Sequence, residues 1–119
     1  MPESLRTTLG FLRDLRDHNE RDWFSANRQR YERARAAYEQ FIAELIARFD
    51  AVDDLGSVTP AQAMYRINRD VRFSPDKSPY KTAMGAYLGR EGRKTTGRGY
   101  YVQIAPDGGS LLASGRYMV

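Results

Sequence analysis

Between Arg66 and Lys81 the chain gathers residue types that recognise an anion. Arg66, Arg69, Asp70 and Arg72 precede the bend of a Ser74-Pro75-Asp76-Lys77 turn, and Lys77, Tyr80 and Lys81 follow it. A guanidinium offers a planar fork of donors to phosphate or carboxylate, and an ammonium adds a mobile point charge. In an extended segment Arg66, Asp70 and Arg72 project from one face, and the turn returns Lys77, Tyr80 and Lys81 toward the same end. Together with Arg69 they form a candidate pocket for a small phosphorylated or carboxylated ligand, with Asp70 as its orienting acid. The competing reading is a solvated strand face whose cross-strand ion pairs contribute about 0.2–1 kcal/mol each.

Whether the cluster is catalytic stays open. Asp70 as a base, and Lys77 or Lys81 as an acid, would each need burial to shift its pKa. Ser74 and Ser78 lack the glycine-flanked elbow and the histidine partner of a hydrolase nucleophile. The chain has no cysteine and one histidine, His18, so thiolate chemistry and the usual zinc sites are not expected, and no cofactor is. His18 reads as an exposed helix C-cap. Gly89 to Gly99 is rich in glycine and cations but lacks the phosphate-loop spacing, and no helix follows it. It reads as a flexible hairpin tip.

Charge is unevenly spread. Residues 1–65 are net −2, residues 66–98 are net +6, and all three lysines fall in the second stretch. Such a field attracts anions, including nucleic acid. Tyr80, Tyr87, Tyr100 and Tyr101 interleave with these cations, so the alternative partner is a nucleic acid held by phosphate contact and base stacking. A third reading is a structural domain whose function lies in a further C-terminal part. No stretch has the roughly 18–20 apolar residues of a membrane span, and the N-terminus lacks the layout of a signal peptide. The expected location is the cytoplasm.

The elements that must position these groups follow from periodicity. Ser4 is a candidate cap, and Leu5, Leu9, Leu12 and Leu15 predict a helix over 5–17. His18-Asn19 ends it, and Asn19 is expected to cap a second helix running without interruption to about residue 50. Its apolar stripe is Trp23, Asn27, Tyr31, Ala34, Tyr38, Phe41, Ile42, Leu45 and Phe49. Trp23, Phe24 and Tyr31 are expected in the core, and Asn27 is expected to bond the sheet or an arginine. Residues 50–62 read as a connection. The period then changes to two: Tyr65, Ile67, Val71 and Phe73 predict the buried face of a strand over 64–73, with Arg69 as the exception. Further strands are expected over 81–88, 99–105 and 110–118, the last entered through a Pro106-Asp107-Gly108-Gly109 turn.

These residues resemble a known family. Phe11-Leu12-x-x-Leu15, Asn19-x-Arg21-Asp22-Trp23-Phe24-x-x-Asn27-x-x-x-Tyr31 and Arg66-x-x-Arg69-Asp70-x-Arg72-Phe73-Ser74-x-Asp76-Lys77-x-Pro79-Tyr80-Lys81 occur in order, followed by Gly99-Tyr100-Tyr101 and Gly115-x-Tyr117-Met118. The pattern is similar to that of the conserved-hypothetical family catalogued as domain of unknown function 2461. Its members run longer, which implies that residues 1–119 are an N-terminal portion, as the apolar Tyr117-Met118-Val119 ending also suggests. The resemblance brings no activity, substrate or cofactor. The expected architecture is one α+β domain, with two N-terminal helices packed on one face of a mainly antiparallel four-stranded sheet.

Overall fold

The leucine repeat folds as α1, Glu3–Asp17, in a computed structural model that describes residues 3–116 and places side chains for residues 5–113. Leu5, Phe11, Leu12 and Leu15 are buried. Thr8 is fully buried among them, and its Oγ1 donates to the Ala34 carbonyl at 2.8 Å, tying α1 to the long third helix. A hydroxyl buried at that depth needs such an acceptor. His18 Nδ1 lies 3.1 Å from the Asp14 carbonyl at the exposed end of α1, and its ring stacks on Trp23.

The second helix differs from expectation. It is two helices, α2 (Arg21–Ala26) and α3 (Arg28–Asp50), separated at Asn27. Asn27 Nδ2 donates to the Trp23 carbonyl at 2.9 Å, bonding neither the sheet nor an arginine. A side chain that competes with the ladder in this way is a known cause of helix interruption. Asn19 is not the cap; that position is Glu20. The Asn19 amide instead donates to the Tyr80 carbonyl at 2.8 Å and accepts from the Tyr80 N–H at 3.0 Å. The helical opening is thereby fixed to the segment after the turn. Beyond residue 50, the connection contains a fourth short helix, α4 (Pro60–Ala63), started by a Thr59–Gln62 capping box with Pro60 at its first position.

The sheet has three strands where four were expected. β1 (Met84–Leu88), β2 (Arg98–Ile104) and β3 (Leu111–Arg116) are antiparallel in the order β1-β2-β3. Residues 64–73 form no strand. They touch β1 and the chain ahead of it through two isolated bridges, Met64 to Ala86 and Asn68 to Tyr80. The two bridges lie four positions apart on one side and six on the other, so the ladder slips and cannot propagate. Pro79, which has no N–H, stands immediately before the Tyr80 bridge. The predicted apolar face splits accordingly: Ile67 is buried, whereas Phe73 is 92% exposed.

β1 and β2 pair Met84 with Ile104, Ala86 with Val102 and Leu88 with Tyr100, and these residues form the helix-facing side of the sheet. Tyr38 reaches from α3 to donate to the Val102 carbonyl at 3.0 Å, and Phe49 stacks on Tyr100 at 4.3 Å. Phe24 is buried, with Trp23 and Tyr31 packed against the core. The β1–β2 connection is no loose tip. It holds a 3₁₀ turn, Gly92–Lys94, in which Gly92 and Thr95 are buried. Asp107 and Gly108 take positive φ in the turn between β2 and β3. The expected end of the last strand, Tyr117 to Val119, lies outside the described residues.

Candidate functional site

The seven predicted site residues do not share one concavity. Arg69, the exception on the apolar face, is half-buried and spent on its own loop. Its guanidinium donates to the Ser78 carbonyl (3.1 Å), the Asp76 carbonyl (3.4 Å) and Ser74 Oγ (3.4 Å), and it pairs with the Asp76 carboxylate at 3.3 Å. Arg72 and Asp70 form an exposed two-pronged pair, Nε to Oδ1 at 3.1 Å and Nη2 to Oδ2 at 2.8 Å. Arg72 also lies over Phe73. The Lys77 ammonium donates to the Val71 carbonyl at 2.6 Å. Tyr80 is a core residue whose ring stacks on Phe24 at 4.1 Å.

Arg66 and Lys81 remain. Neither forms an ion pair or a side-chain hydrogen bond among the described residues. Lys81 stands over the Tyr65 ring and lines one cavity with Arg16 and Arg69. Arg66 lines another, of about 380 Å³, between α3, the end of α4 and the 64–68 segment.

That second cavity is the candidate site. Its wall carries Arg35, Arg66 and Arg93 with Tyr31 and Asn68, and a single carboxylate, Glu32. Each residue has a local reason to be there. Tyr31 and Arg35 are one turn apart on α3 and so share a flank. Arg66 is placed by its neighbour Tyr65, whose N–H donates to the Gly85 carbonyl at 2.9 Å. Arg93 rides on the 3₁₀ turn, which is pressed onto α4: Gly92 has φ +62°, and a Cβ there would stand 2.3 Å from the Gln62 carbonyl oxygen. One nitrogen of Arg93, Nη1, donates to the carbonyls of Ala61 (2.9 Å), Gln62 (3.2 Å) and Met64 (3.4 Å). Glu32 is at the limit of an ion pair with Arg28, 4.0 Å away. Arg35, like Arg66, has no ion-pair partner among the described residues. Burial pushes the Tyr31 phenol above its usual range, and Arg35 and Arg28 pull against that without cancelling it. Tyr31 therefore stays a neutral donor.

A cavity of about 450 Å³ beside β2 is chemically different. Asp53 and Asp54 line it with Arg90 and Tyr100. Arg90 is paired to Asp54 at 2.7 Å, and the Tyr100 hydroxyl donates to Asp53. Its cations are matched by acids, so it offers an anion little. Among the described residues no three His, Asp or Glu side chains gather to hold a metal, and no helix is long and apolar enough to cross a membrane.

Arg35 and Arg93 had little signal in the sequence. Arg35 lies among the regularly spaced arginines of a helix surface, and only its position one turn after Tyr31 marks it. Arg93 sits in a segment whose composition reads as a loose loop. Comparison with known proteins returned no match among curated proteins and none among solved structures. A family model described as conserved hypothetical protein (DUF2461) matches residues 7–119, nearly the whole described chain, and the chain belongs to that family.

Proposed function

We propose that the protein binds a small anionic ligand, phosphate- or carboxylate-bearing, in the cavity lined by Arg35, Arg66 and Arg93. The observation that carries this reading is the pair Arg35 and Arg66: two guanidinium groups on one cavity wall, neither spent on a carboxylate. Charge-assisted hydrogen bonds to such forks are the strong ones. Tyr31, held neutral, adds an O–H donor, and Arg93 keeps the nitrogens that its carbonyl contacts leave unused. Three other cations of the basic stretch are engaged within the fold: Arg69 by its loop, Arg72 by Asp70, Lys77 by a carbonyl.

A nucleic-acid partner is less well supported. Three of the four rings that would stack on bases are in use, Tyr80 against Phe24, Tyr100 against Phe49 and Tyr87 buried, and Tyr101 is half-buried beside Tyr65. Titration calorimetry with inorganic phosphate at low ionic strength tests the proposal. Arg66→Ala and Arg35→Ala are each expected to weaken binding tenfold or more, since a hydrogen bond to a charged group is worth about 1.5–3 kcal/mol. Arg72→Ala is expected to leave binding unchanged. Equal affinity in all four proteins would overturn the assignment, as would affinity lost only in Arg72→Ala.

A further inference from the structure

The three lysines of the chain sit in different surroundings. Lys77 and Lys94 are exposed, and Lys77 is held by the Val71 carbonyl. Lys81 is half-buried, with its Nζ 5.6 Å from the centre of the Tyr65 ring and with neither a carboxylate partner nor a hydrogen-bond acceptor among the described residues. It lines a cavity of about 430 Å³ together with Arg16, Asn19, Arg69 and Ser78. The carboxylates that face these cations are already taken, Asp76 by Arg69 and Ser78, and Asp107 by Arg16. Burial, then repulsion from Arg66, holds the Lys81 ammonium below the usual lysine range. A partly desolvated lysine beside another cation is a setting that makes an amine nucleophilic.

We propose that Lys81 is a nucleophilic amine that captures small anionic aldehydes or ketones as an imine. The Nζ lone pair adds to the carbonyl carbon, and the π pair moves to the oxygen. Both amine hydrogens leave with that oxygen as water when the C=N bond forms, so the step needs no oxidant or reductant. Arg66, whose charge acts on Lys81, supplies the field that draws the anionic group toward the amine. The cavity is distinct from the one lined by Arg35 and Arg93, and capture does not depend on that reading.

The test uses the unaltered protein with two aldehydes, pyridoxal 5′-phosphate and uncharged-tail pyridoxal, each followed by borohydride and peptide mass spectrometry. Lys77 and Lys94 serve as internal references. Label on Lys81 is expected to exceed that on either reference at least tenfold, and the phosphorylated aldehyde is expected to label Lys81 at least fivefold more than pyridoxal. Lys81→Arg, which keeps the charge, is expected to abolish that label. Even labelling of the three lysines would overturn the proposal, and so would equal labelling of Lys81 by the two aldehydes.

Discussion

Arg66 and Arg69 are three positions apart and chemically identical, yet the fold uses them in opposite ways. Arg69 reaches back across its own turn and satisfies the Asp76 and Ser78 carbonyls of the loop. Arg69→Ala is expected to cost about 1.5–3 kcal/mol in urea unfolding, because the Asp76–Ser78 loop loses the guanidinium that bonds its carbonyls and pairs with Asp76. Arg72→Ala, which breaks only an exposed pair, is expected to stay within about 0.5 kcal/mol of the parent. At this scale the sequence was partly legible. Arg69 stood out because a guanidinium on an apolar face needs a partner, and it has one. Arg66, Asp70 and Arg72 were expected side by side, and the alternation that grouped them requires a regular strand that does not form. Arg35 was hidden because an arginine on a helix surface is the commonest kind.

Periodicity at the element scale located every long segment and missed the interruptions. The leucine repeat and the stripe of α3 are strong because burial repeats them many times. At the break the Asn27 side chain joins its own N–H on the Trp23 carbonyl, which no periodic signal records. The degenerate strand at 64–73 is similar: its residues alternate correctly, but register depends on the partner segment, where the count slips by two. The β1–β2 connection carries the strongest prediction at this scale. Gly92→Ala combines a left-handed backbone with a clash against the Gln62 carbonyl. It is expected to cost about 1–3 kcal/mol in unfolding and, by moving Arg93, to weaken phosphate binding as well. A glycine-rich composition could not distinguish this tight packing from a mobile tip.

The positive excess of the whole molecule is concentrated in one third of the sequence, and the fold spreads it over several surfaces and spends much of it internally. Three aspartates show how, and a fourth, Asp107, does the same for Arg16 outside that third. Asp54 is held below the usual carboxylate range by the Gly56 N–H and then Arg90, Asp70 by Arg72, Asp76 by Ser78 and then Arg69, and Asp107 by Arg16. A carboxylate with a depressed folded pKa contributes stability that is present above its unfolded value. That contribution is lost as pH falls through the folded value. The thermal midpoint is therefore expected to be insensitive to these groups at neutral pH and to fall as the pH drops below about 4, the unfolded aspartate value. Asp76→Asn should flatten part of that fall; an unchanged acid profile would show that the Asp76 contacts do not persist in solution.

The anion site is tested most directly by the arginine Nε–Hε resonances of ¹⁵N-labelled protein during a titration with inorganic phosphate. Arg35 and Arg66 are expected to shift together along one binding curve while Arg69 and Arg72 stay in place. Uniform small shifts across all arginines, or shifts centred on Arg72, would contradict an anion site between α3 and the segment that follows α4.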